Sequence, residues 1–111
     1  MRLVPLLLLL SITSAHAQAL FLAYRQWEQM PTSLGEMYVS GAFDTLSIVT
    51  TPEQVSIAKH YNECVAKAGL SLHQLAENMK EYADTKPELQ DKPTPGVLLR
   101  YLISLCGTPA Q

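Results

Sequence analysis

The sequence predicts an all-α fold: a small bundle of four to five short helices held by one disulfide. Three observations predict it. Apolar residues recur at spacings of three and four over most of the chain, and no strand-like alternation of any length interrupts them. Helix-start signatures follow one another at Ser33, Thr51, Ser71 and Thr94. The chain also carries two cysteines, Cys64 and Cys106, behind what reads as an export signal.

That signal comes first. Arg2 precedes an apolar stretch from Leu3 to Ile12, and Ala15-His16-Ala17 follows as a small-x-small cleavage site. This is the layout of a secretory signal peptide, expected over residues 1–17. The run is too short for a membrane anchor, since a spanning helix needs ~20 apolar residues. Residues 18–111 then form a single domain in the periplasm. Loss of Arg2 leaves seven basic residues against ten acidic, a net charge of −3, with neither sign clustered. Nucleic acid is excluded for want of a basic patch, and an electrostatic membrane role is equally unsupported.

In an oxidising compartment, an even cysteine count in a small chain reads as a disulfide, here Cys64–Cys106. It would tie two helices together across the core. A metal site would need more than His60-x-x-x-Cys64, and neither CxxC nor HxxxH occurs.

Leu20, Ala23, Tyr24, Trp27 and Met30 predict a first helix over 19–29, ended by Pro31. Ser33-Leu34-Gly35-Glu36 is a capping box, with Glu36 expected to reach back to the Ser33 amide. It opens a second helix that runs to about residue 50. Thr51-Pro52-Glu53-Gln54 opens a third, with threonine as N-cap and proline at the first helical position, and Gly69 stops it.

Ser71-Leu72-His73-Gln74 caps a fourth, with Leu70 and Leu75 placed as a hydrophobic staple. Its stripe is Leu72, Leu75, Ala76, Met79, Tyr82 and Ala83. Pro87 ends this helix, and KPELQDKPTP is a proline-punctuated connection. Thr94-Pro95 opens the last helix, with Val97, Leu98, Leu102, Ile103 and Leu105 facing inward and Gly107 closing it.

The chemical search predicts no enzyme, no catalytic residue, no cofactor and no metal. His60 and His73 read as helix-surface or rim residues, and His73, Glu77 and Glu81 share a solvated face. Trp27 reads as core. Asp44, in an otherwise apolar helix, is either an ordinary surface carboxylate or a buried or interface group. No phosphate loop, GxSxG elbow or HExxH is present.

MYVSGAFDTL, NECVAKAGLSLHQLAENMKEYADTKPEL and GVLLRYLISLC, in that order and spacing, resemble the type VI secretion amidase immunity proteins, the Rap/Tai family. Tyr38, Gly41 and Asp44 match the first element of the family pattern. Cys64, Gly69, Leu70, Ser71, Gln74, Tyr82, Lys86, Pro87 and Glu88 match the second, and Leu98, Leu102 and Cys106 the third. Two places depart from it: many members carry an extra cysteine pair in their N-terminal half, and this sequence has Glu36-Met37 before Tyr38 instead, while Ser-Leu-Cys replaces a Phe-Pro-Cys ending.

The resemblance implies an all-helical periplasmic protein, often a homodimer. It would bind a secreted peptidoglycan amidase and block its active-site cleft without contributing chemistry of its own. Under that expectation the inhibitory contacts lie on the PELQDKP connection, with Glu88, Gln90 and Asp91 as its polar handles and its prolines lowering the ordering cost of binding. A plain interhelical linker is the other reading of the same stretch. Two alternative functions stand beside immunity: a periplasmic acid-stress chaperone of the HdeA kind, and a structural envelope protein with no toxin partner.

Overall fold

The computed structural model describes residues 20–47 and 51–110, and the expected signal peptide lies outside them. These residues form five α-helices: α1 (Tyr24–Glu28), α2 (Thr32–Thr45), α3 (Pro52–Lys67), α4 (Leu72–Asp84) and α5 (Thr94–Cys106). A 3-10 turn at Pro87–Leu89 joins the last two, and no strand occurs among the described residues. The fold is a small all-α bundle with one disulfide.

The caps at Thr51 and Ser71 form as their sequences require. Thr51 Oγ1 accepts from the Gln54 amide at 3.3 Å while Gln54 Oε1 accepts from the Thr51 amide at 3.1 Å. At Ser71 the reciprocal pair measures 3.1 and 2.9 Å. Each box gives partners to donors that a helix start otherwise leaves open. Gly69, at φ +68°, supplies the left-handed turn between α3 and α4. Ser71→Ala removes one acceptor and is expected to cost about 1 kcal/mol of stability, read from the urea midpoint; no shift would mean that the cap is redundant.

Three elements differ from the sequence expectation. The first helix is shorter, because residues 22 and 23 run beside the later connection: Ala23 pairs antiparallel with Pro93, and Leu22 accepts from Thr94. Tertiary pairing has taken over backbone groups that a longer helix would have used. The second helix starts at Thr32, with Pro31 as N-cap and no side-chain cap. Glu36 does not reach back to Ser33; its carboxylate engages His73 on α4. The same helix ends at Thr45, and residues 48–50 of its expected span lie outside the described residues.

In α5 the buried stripe is Val97, Leu98, Tyr101 and Leu102, whereas Ile103 and Leu105 are exposed. Steps of one, three and one place those four along one side of the helix. Residues 103 and 105 lie off it.

Packing centres on α4 and α5, with α2 across both. Tyr24, Val39, Met79, Ala83, Leu89, Val97 and Leu102 are fully buried. Trp27 is buried as expected, and its indole N–H donates to the Gly35 carbonyl at 2.9 Å. A Cβ at position 35 would lie 3.4 Å from that ring nitrogen, close to ordinary van der Waals contact, so the indole packs closely on the α2 backbone there.

The third helix is the peripheral one. It packs chiefly on α5 and buries only Ala58 and Tyr61. The Cys64–Cys106 disulfide joins it to the end of α5, with both cysteines half-buried at the rim of the core rather than across it.

Candidate functional site

The connection from Lys86 to Pro93 is held along its length. Leu89, at its middle, is completely buried in the bundle core and anchors the turn. The segment before α1 then clamps the backbone from the side. Tyr24 donates its amide to the Lys92 carbonyl at 2.9 Å, and Arg25 donates to the Gln90 carbonyl at 3.0 Å. Thr94 gives both its amide and its hydroxyl to the Leu22 carbonyl, at 2.9 and 2.7 Å. Its hydroxyl is therefore engaged with residue 22 rather than capping α5.

The entry to the connection is fixed by side chains. Lys86 Nζ donates to the Tyr82 carbonyl at 3.0 Å and lies 4.0 Å from the centre of the Tyr82 ring, a cation–π contact. Gln90 Nε2 donates to the Ala83 carbonyl at 3.2 Å, beside the bond that the Lys86 amide makes to the same oxygen at 2.9 Å.

These contacts divide the three predicted handles. Glu88 is exposed. Asp91 is also exposed and pairs with Arg25 at 3.3 Å, the two side chains 81% and 60% accessible. An ion pair that open to water contributes little to stability and leaves both charges available to a partner. Gln90 is half-buried with its amide engaged inward, so it positions the connection rather than projecting from it. Arg25 is the residue that sequence reasoning missed. It lies over sixty positions away, and only the pairing of residues 22–25 with 90–94 brings it here.

The remaining candidates fall elsewhere. Asp44 is exposed on α2. His60 is half-buried, with its Nε2 2.8 Å from the Gly107 carbonyl at the end of α5. His73 is exposed, and its Nδ1 meets Glu36 Oε1 at 2.5 Å. Among the described residues no group of three or more His, Cys, Asp or Glu side chains is arranged to hold a metal ion. No helix among them is long and apolar enough to cross a membrane.

A second feature is a small surface cleft where the α1–α2 corner meets α4, lined by Trp27, Glu28, Glu36, Ala76, Glu77 and Lys80. Beside it the Tyr24 hydroxyl donates to Asp84 Oδ1 at 2.7 Å, and Asp84 also faces Glu28. Burial first, and the bond to Asp84 second, push the Tyr24 phenol far above its ordinary range, so it remains a donor. Burial and the neighbouring Asp84 carboxylate push the Glu28 carboxyl up from its usual range.

No protein-family model, no curated protein and no solved structure matches this chain.

Proposed function

We propose that this protein is an exported binding protein of the immunity kind, which occludes the active-site cleft of a peptidoglycan amidase with its 86–93 connection. The observation that carries this reading is the state of that connection. Apart from the short 3-10 turn at Pro87–Leu89 it is irregular, yet Leu89, the 22–25 segment, Gln90 and Lys86 fix it at several points. A surface already ordered before binding avoids much of the entropy loss that a flexible loop would suffer on docking. The exposed Glu88, Asp91 and Arg25 then give it both signs of charge within a short span.

The amidase as partner comes from the resemblance of the three sequence blocks to the Rap/Tai family, and the periplasm from the expected signal peptide. Fold alone does not carry function, so the partner is the part to be tested. Immobilised oxidised protein would be exposed to the secretions of competing bacteria, and captured proteins tested for peptidoglycan amidase activity. The proposal expects one amidase, held stoichiometrically. Glu88→Ala with Asp91→Ala is expected to weaken that capture by about tenfold, or about 1.4 kcal/mol, with no change in the unfolding midpoint. Capture of the amidase with undiminished affinity would move the contact surface away from the connection.

A further inference from the structure

We propose that two side-chain contacts on either side of Trp27, Glu28 against Asp84 and Glu36 against His73, form a clasp that closes α1 and α2 onto α4 as the surroundings are acidified. Both contacts cross between helices. Glu28 belongs to α1 and Asp84 to α4; Glu36 belongs to α2 and His73 to α4. Trp27 and Gly35 lie between them, joined by the indole bond, and Glu28, Glu36 and Trp27 all line the same cleft. The α1–α2 corner therefore meets α4 through two proton-dependent contacts.

Their chemistry sets the direction. Two carboxylates facing each other repel, and a proton shared between them turns repulsion into a hydrogen bond. Tyr24 already donates to Asp84 and favours its anion, while Lys80 on α4 partly offsets the charge at Glu28. On the other side, a protonated His73 is a cation against Glu36, with Glu77 on its own helix adding to the attraction.

Both Glu28 and His73 bind a proton more readily in the fold than in the unfolded chain. A group of that kind stabilises the fold fully below its unfolded pKa, and the contribution is lost as pH rises through its folded value. For His73 the gain is complete below about 6.5; for Glu28 it is complete only below about 4.5. Acidification from weakly alkaline pH thus tightens both contacts. Tyr24 carries the effect onward, since its amide holds the Lys92 carbonyl while its hydroxyl holds Asp84. The clasp does not depend on what the connection binds.

The test compares the protein with Glu28→Gln, His73→Gln and the double variant at pH of about 8 and about 5. The melting temperature of the parent is expected to gain about 3 °C relative to the double variant on going to the lower pH. Glu28→Gln alone, which removes the repulsion while keeping a donor for Asp84, is expected to melt higher than the parent at the higher pH. Trp27, the single tryptophan, gives a local reading: acrylamide quenching of the parent should fall on acidification and that of the double variant should not. Equal acid responses in parent and double variant, in melting and in quenching, would overturn the clasp.

Discussion

Replacing Cys64 and Cys106 by serine is expected to remove about 4 kcal/mol of stability, the cost of freeing a loop of roughly 40 residues in the unfolded chain. For a domain of this size that is a large share of the ~5–15 kcal/mol that separates folded from unfolded. The structure also says where the loss falls. The disulfide joins α3 to α5, and α3 is the peripheral helix that packs chiefly on α5. Among the described residues its other attachments include buried Ala58 and Tyr61, half-buried Val65, the Asn62–Ser47 side-chain bond at 2.9 Å and the His60–Gly107 contact. Amides of α3 should therefore lose protection from hydrogen exchange before those of α4 and α5. Urea unfolding with and without reductant gives the magnitude. A loss under about 1 kcal/mol, or uniform loosening of all helices, would contradict this placement of the bridge.

Leu89→Ala is the second large effect, expected at about 3 kcal/mol, because the side chain is wholly enclosed and its removal leaves a cavity that the turn cannot fill. The adjacent Glu88 is exposed, so Glu88→Ala should be neutral to within about 0.5 kcal/mol. The pair of variants separates anchoring from recognition. Leu89→Ala should weaken both folding and partner capture, the second because the connection must then be ordered on binding. If Leu89→Ala destabilises the bundle and leaves capture unchanged, the rigidity of the connection has no part in binding. Denaturant midpoints and capture affinities at a temperature where both variants remain folded provide the comparison.

The helix caps at Thr51 and Ser71 were legible because a capping box is local: four consecutive residues hold all the partners. The same pattern at Ser33–Glu36 misled, since Glu36 had a second partner on a helix that local sequence cannot see. His73 shows the other half of that contact. On its own helix it is one more polar residue on a solvated face, and it acquires meaning only through the packing of α2 against α4. The short first helix has a similar cause. Leu20 and Ala23 keep helical spacing with Trp27, yet Ala23 pairs with Pro93 in an extended conformation, and Leu20 is fully exposed.

The connection was visible as a proline-rich interruption with polar residues. Most of its rigidity was not, because Leu89 is fixed by the core and the backbone clamps at residues 90, 92 and 94 come from residues 22–25. That also explains why Gln90 counted as a handle in sequence and sits half-buried in the structure: its Ala83 partner is the end of the preceding helix. The disulfide needed only a count of two cysteines and an expected compartment, whereas its place at the rim needed the path of α3.

The alternative of an acid-stress chaperone requires the fold to loosen on acidification. The clasp proposed from Glu28–Asp84 and His73–Glu36 acts in the opposite sense between pH of about 8 and about 5, and dye binding and client protection in strong acid test the chaperone directly.

Occlusion of an amidase is read most directly from peptidoglycan hydrolysis by the captured enzyme, titrated with this protein. Hydrolysis is expected to fall linearly and to end at one molecule of protein per enzyme, and the exposed-residue pair Glu88→Ala with Asp91→Ala, which keeps Leu89 in the core, is expected to restore it in part. An enzyme that stays bound and fully active at saturation would rule out occlusion.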